Sequence, residues 1–456
     1  MFKFKLENII YTYIFICIII LGTFVIIFNV DIKNYNIIVI LTFIVNGIII
    51  LIELSKSSEL GYSLKEIFYL FMFIFMFISP LVQYLYSKFP WWNTDLITSE
   101  IVAYANFMIM IFMLLYLCTY KLTMDILKYK RIKYKSSINI KRSMNLFFIA
   151  TVLCSSFIIL KTGFSNLFSR ATNIPRVESS TFSLIVSNTF RAVPVLYVAL
   201  NLLYIKKNNI IYKKTQFIIG ALLMILVNFP TATARFWMAS VYLGLLLIIK
   251  RKFKNPHLFK TIIIIGILII FPAINIFRYN NFLDAIKQGL YIPNPSDAFL
   301  VGDFDSYSML ARTISYVDTY GISWGHQLLG NILFFIPRKI WPTKPIGSGA
   351  MIATQMGWSF TNVSCPFIGE GYINFGIIGV VLFAIILGRL TALFDKNYNE
   401  YCFTKEKITY IELVYPFSIG FLFFILRGDL LSSLSYFIGF ITPIILIWLF
   451  NYEKNK

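Results

Sequence analysis

Charge is scarce in this chain: 14% of its 456 residues are Asp, Glu, Lys or Arg, where soluble proteins carry about 25%. So few charges cannot cover the surface of two or three water-soluble domains, which excludes a soluble enzyme. Disorder is excluded too, because 58% of the residues are hydrophobic and the mean hydropathy is +0.75. Cysteine occurs five times, an odd number with no metal-ligand or disulfide spacing, which excludes a disulfide scaffold and cysteine chemistry. No P-loop, HExxH, GxSxG or Gly-rich dinucleotide turn is present, and neither is an internal repeat or a low-complexity linker. No nucleotide, metal or other cofactor is therefore expected.

What is present is apolar length. Windows long enough to cross about 30 Å of hydrocarbon fall near residues 9–28, 35–54, 66–86, 100–120, 144–160 and 181–205. The second half adds 215–232, 236–249, 261–277, 372–393, 409–425 and 430–450, of which 236–249 is short enough to be tilted or partly re-entrant. The expected fold is an all-α polytopic membrane protein of about 12 helices. The apolar run after Met1-Phe2-Lys3-Phe4-Lys5 is too long for a signal peptide and lacks a small-residue cleavage site, so it reads as a retained first span.

A net charge of +20 would suggest nucleic acid in a soluble protein. In a membrane protein the loops on the cytoplasmic side keep the lysines and arginines, so no nucleic-acid partner is expected. With both termini inside, the inner segments hold 26 of the 41 basic residues and the outer ones 13. The chain divides into a nine-span bundle (1–277), a large outer loop (278–371) and a three-span bundle (372–456). Within the loop, 304–320 has an apolar stripe of Tyr307, Leu310, Ala311, Ile314 and Val317, opposite a polar one of Asp305, Ser308, Arg312, Ser315 and Thr319. That spacing predicts an amphipathic helix. A second short helix is expected at 326–336, stopped by Pro337, before the ordered irregular stretch PRKIWPTKPIGSG.

Arginine is distributed unlike lysine. The inner segments have three (Arg131, Arg142, Arg251), the outer ones seven: Arg170, Arg176, Arg235, Arg278, Arg312, Arg338 and Arg427. Lysine satisfies the positive-inside rule equally well, whereas the planar guanidinium grips phosphate or carboxylate in two places. The outer arginines either pair with outer carboxylates and lipid headgroups or, as a set, hold an anionic ligand. Arg191 lies in an apolar window, where a charge faces a cavity or the interface and can join that set.

Acidic candidates for proton transfer are Asp303 and Asp305 in VGDFDSY, Glu370 in PFIGEGYINFG and Asp429 in LRGDL. As a helix start, Asp303 and Asp305 are explained by capping and the helix dipole. Glu370 sits among glycines where the loop re-enters the membrane, a place for a general base or for a partner to an outer arginine. His326, after SWG, is a second candidate base, while His257 lies in a basic inner loop and has no assigned role. Trp91, Trp92, Trp324, Trp341 and Trp358 suit sugar stacking, although interface anchoring explains most such residues.

The segment Arg278–Gly388, with FFIPRKIWPTKPIGSG, PFIGEGYINFGIIG and then ILRGDL, resembles bacterial O-antigen and oligosaccharide repeat-unit polymerases, the Wzy-type enzymes. Some members carry outer motifs of Arg, ten residues, then Gly; Arg278 with Gly289 and Arg338 with Gly349 fit, both here in one loop. The resemblance implies a GT-C-like membrane fold and metal-independent transfer of a glycan from undecaprenyl pyrophosphate onto a new repeat unit at the outer face of the bacterial inner membrane. It also implies Arg278, Arg312, Arg338 and Arg427, with Arg191 and Arg235, as substrate-binding residues, and Glu370 or His326 as the catalytic base. A chain-length regulator and a flippase in the same membrane would be its partners. A lipid-linked oligosaccharide flippase and an O-antigen ligase are the alternatives.

Overall fold

The computed structural model describes residues 36–91, 97–129, 140–168, 181–253, 255–274, 277, 287, 295–402 and 408–452. The window 9–28, Arg278 and Gly289 lie outside these residues. Among the described residues every regular element is a helix, and eight helices are long and apolar enough to cross a membrane.

The chain runs through α1 (Ile37–Ser55), α2 (Leu64–Leu85), α3 (Ser99–Tyr129), α4 (Ile140–Thr162) and α5 (Thr181–Asn208). Three shorter helices follow: α6 (Lys214–Val227), α7 (Arg235–Lys250) and α8, which starts at Pro256 and runs to Ala273. The short window at 236–249 is thus one unbroken helix. Then come α9 (Pro295–Phe299), α10 (Ser306–Tyr320), α11 (His326–Ile332) and α12 (Ser348–Gln355), and finally α13 (Phe367–Tyr401), α14 (Tyr410–Arg427) and α15 (Leu430–Tyr452).

Proline explains two irregularities. A proline inside a helix cannot donate to the preceding turn, and its ring presses on that turn's carbonyl. In α2 a π-turn at Ile74–Ile78 precedes Pro80, and in α8 another at Gly266–Ile270 precedes Pro272. The wider turn takes up the displaced carbonyl, so both helices continue.

α14 is the shared wall of two cores. Tyr415, Ile419, Leu422, Phe423 and Leu426 pack with α2, α3, α10 and α13, while Leu413, Phe417 and Phe421 pack with α5, α7 and α15. Small residues set the close crossings, as lipid-embedded helices require. A Cβ on Gly388 would lie 2.8 Å from the Tyr116 carbonyl oxygen of α3, and one on Gly420 would lie 2.4 Å from Ser240 Cα of α7.

α13 is two helices. Phe375 and Gly376 leave helical geometry, Gly376 at φ +61°, and the chain folds back so that Gly371 meets Gly379. The first part, before Phe375, is a short capping helix. The span proper begins at Ile377, later than the window at 372 suggests, because glycine alone tolerates this turn without strain.

The helix expected at 304–320 forms as α10 but is not amphipathic in its setting. Ser308 and Arg312, on the polar stripe, are as buried as Leu310 and Ile314. Spacing identifies the face but not what covers it: here α3, α13 and the chain around Trp91 enclose both faces. Asp305 does not cap the helix with its side chain either; its carboxylate is taken by Arg427, Trp91 and the Ser364 amide. The second loop helix ends at Ile332, before Pro337 can act as its stop.

Candidate functional site

Glu370 lies on the capping helix of α13, fully buried. Its Oε2 accepts from Ser348 Oγ at 2.8 Å and from Asn331 Nδ2 at 3.4 Å, and its Oε1 from the Leu430 amide at 3.1 Å. Asp429 sits beside it at the α14–α15 junction. The Asp429 Oδ2 accepts from the Gly349 amide at 3.1 Å, and Oδ1 accepts from the Ser432 amide at 3.3 Å. A Cβ on Gly347 would come within 2.4 Å of the Asp429 carboxylate, so the close approach needs glycine there. The two carboxylates thus share the N-terminal ends of α12 and α15, where helix dipoles favour negative charge. Burial pushes the Asp429 carboxyl above the usual carboxylate range, against the amides of Gly349, Ser432 and Leu431, which pull it down. None of the hydrogen bonds to Glu370 comes from a lysine or arginine.

An apolar cavity of about 400 Å³ lies nearby, with neither carboxylate on its wall. Leu430, whose amide holds Glu370, also lines the cavity, as do Leu328 and Ile332 of α11. From there it follows α13 past Phe383 and Leu390 to Phe394, about 16 Å along the helix axis. Ile386 and Leu390 on its wall are each 50% exposed, so the cavity opens sideways onto the lipid-facing surface of the bundle.

The arginines of the expected substrate-binding set that lie among the described residues are engaged within the protein. Arg235 grips Asp303 bidentately at 2.9 and 2.6 Å, and Arg427 pairs with Asp305 at 3.1 Å while also holding the carbonyls of Gly302 and Asp303. Arg312, fully buried, donates to the carbonyls of Pro90 and Trp91 and lies 5.1 Å from the Trp358 ring. Arg191 donates to the Val227 carbonyl. Arg338 is exposed, and it donates to the carbonyls of Lys344, at 2.5 Å, and Pro345, at 3.3 Å. Two arginines therefore neutralise the paired aspartates expected as a helix start, and the others brace backbone.

Lys344 completes the loop brace. Its buried ammonium donates to Phe334 and Ile336 carbonyls, and burial with Arg338 alongside lowers its basicity. A lysine at 338 would offer one point of attachment where the guanidinium offers two. Arg338→Lys should therefore raise amide hydrogen exchange at Ile346 and Gly347, an effect that mass spectrometry of the 338–349 peptide would read. Exchange equal to that of the parent would show that the fork does not hold this loop.

His326, at the start of α11, is exposed and sits edge-on to Trp341 with ring centroids 6.3 Å apart; it is not among the groups bonded to Glu370. Neither candidate base lines the cavity, but Glu370 is tied to its wall through the Leu430 amide. Sequence reasoning named Asp429 as an acid but missed Ser348, Asn331 and the helix ends that join it to Glu370. Trp92 lies outside the described residues, and Trp324 is 77% exposed. No group of three or more His, Cys, Asp or Glu among the described residues could hold a metal ion. Comparison of the chain with protein-family models, characterised proteins and solved structures found no match.

Proposed function

We propose that this protein joins lipid-linked oligosaccharide repeat units into a polysaccharide of the O-antigen or capsule kind, as a bacterial inner-membrane glycosyltransferase. The observation that carries this is the buried Glu370–Asp429 pair, tied through the Leu430 amide to the wall of an apolar cavity that opens sideways. A polyprenyl tail needs such a cavity, and a sugar hydroxyl held at its mouth needs a base. Three donors occupy three of the roughly four lone-pair sites of the Glu370 carboxylate, which leaves one to accept a proton. In this proposal the chain has twelve spans in a GT-C-like arrangement, both termini are cytoplasmic, and the Glu370 end faces the periplasm.

The step balances without a metal. The hydroxyl oxygen of the acceptor repeat unit attacks the anomeric carbon of the donor glycan, and the bond from that carbon to undecaprenyl pyrophosphate breaks. The hydroxyl proton passes to Glu370, and the pyrophosphate leaves with the electron pair. Arg338 keeps free donors for that anion, and Arg427 and Arg235 would exchange a carboxylate for it. A chain-length regulator and a flippase would work beside the protein in the same membrane.

Surface glycolipid from a deletion strain, with and without the restored gene, tests this on a gel. The ladder should collapse to core plus one repeat unit and return on complementation. Loss of that single unit as well would overturn the proposal in favour of a ligase or a flippase.

A further inference from the structure

The stretch from Trp324 to Ile346 has the composition of a membrane interface rather than of a solvent loop. Large apolar side chains stand out from it: Trp324 is 77% exposed, Phe335 58% and Ile340 76%, with Leu329 and Ile332 each above half. An apolar patch this dense is covered in a working protein. Two observations say by what. Between Asp318 and Glu370 the sequence has no acidic residue, while Arg338 and Lys339 are both exposed among the apolar side chains. The patch is also continuous with the lipid-facing stripe of α13. The Ser323 and Gly325 amides donate to the carbonyls of Ile373 and Asn374, and the Leu328 amide donates to Asn374 Oδ1, which hangs α11 on the end of the capping helix. Just past that helix, Ile378 is 69% exposed and Leu382 45%.

We infer that the segment Trp324–Ile346 is seated in the membrane leaflet at the Glu370 end of the bundle, its apolar side chains among the acyl chains and Arg338 and Lys339 at anionic phospholipid headgroups. Seven-residue α11 is too short to span and lies at the surface, as interfacial elements do. Leu328 and Ile332 on α11 line the apolar cavity, so the seated segment forms one lip of its sideways opening. A ligand tail would reach the cavity from the leaflet without crossing water. The membrane seat stands on exposure and charge alone and does not depend on the polymerase proposal.

Photo-crosslinking of the full-length protein tests the seat. p-Benzoylphenylalanine is placed at Phe335 or Ile340, at Ile378 as a lipid-facing reference, and at exposed Thr354 of α12 as a water-facing one. Each protein is reconstituted in nanodiscs of phosphatidylethanolamine and phosphatidylglycerol and irradiated, and phospholipid adducts are counted by intact mass. Adducts at positions 335 and 340 should match those at 378. Yields no higher than at 354 would overturn the seat. Because a basic residue near the surface favours anionic lipid by about 1 kcal/mol, Lys339→Gln should cut the phosphatidylglycerol share of adducts at 340 roughly fivefold. An unchanged share would overturn the headgroup contact.

Discussion

Glu370→Gln should lower the rate of chain extension by roughly a thousandfold, the usual contribution of a positioned base, while the protein still accumulates and keeps its melting temperature. The amide is isosteric and can turn its oxygen toward the Leu430 amide, with the Ser348 hydroxyl rotating and the Asn331 amide turning its oxygen round to accept from its nitrogen, so the surrounding helices keep their contacts. What the amide lacks is proton affinity. Asp429→Asn separates the two carboxylates. Asparagine remains a good N-cap for α15 and can still accept from Ser432, so α15 should keep its start while the Gly349 amide loses its acceptor. Burial raises the Asp429 carboxyl, so the pair as a whole gives up its last proton in a window above the usual carboxylate range. Activity of the parent should rise across it. With one carboxylate and no facing charge, the Asn variant should show that rise at lower pH. An Asn variant with an unshifted acid limb would remove Asp429 from the proton chemistry, and a fully active Gln variant would remove Glu370.

The parts of this arrangement that the sequence could declare are the ones carried by local runs. Apolar windows reveal helices because each helix contains its own signal, and eleven of the twelve fall on described helices. Glu370 stood out because a carboxylate between Gly369 and Gly371 at the edge of an apolar run has few structural excuses. Its meeting with Asp429 could not be read, since it depends on the fold-back at Gly376 and on α12 presenting the Gly349 amide across the junction of α14 and α15. The cavity was equally hidden, because α11, α13, α14 and α15 each contribute a wall and none of the apolar windows differs from an ordinary lipid-facing helix. The arginines stood out in the sequence, but their partners did not. Asp303 and Asp305 do stand at a helix start, Asp305 at the N-cap position, but their carboxylates serve as counter-ions to Arg235 and Arg427. A helical repeat cannot say whether a polar face meets water or a buried partner, which is why Ser308 and Arg312 looked exposed.

At the opposite end of the bundle, Asp395→Ala should prevent the protein from accumulating in the membrane. Asp395, on α13, is 1% exposed and accepts four hydrogen bonds. Tyr120 Oη of α3 lies at 2.7 Å, Tyr415 Oη of α14 at 2.5 Å, and the amides of Leu64 and Lys65 at 2.8 and 3.3 Å. Asp395 therefore caps the start of α2 from another helix while tying α3 and α14 to α13. Tyr415 passes the restraint on, stacked on Tyr398 at 4.1 Å, whose hydroxyl is 3.0 Å from that of Tyr62. Truncation would strand two buried hydroxyls and two helix-end amides together. Each buried donor left unpaired costs about 1–3 kcal/mol, so the four together remove a large part of the stability of a typical domain. Tyr415→Phe removes one donor with its acceptor still occupied and should cost only about 1 kcal/mol. Asp395→Asn, which keeps an acceptor for the α2 amides, should fall between them. Thermal unfolding in detergent, followed by the loss of the monodisperse peak, orders the three variants. An Ala variant as stable as Tyr415→Phe would mean that the aspartate does not hold this seam together.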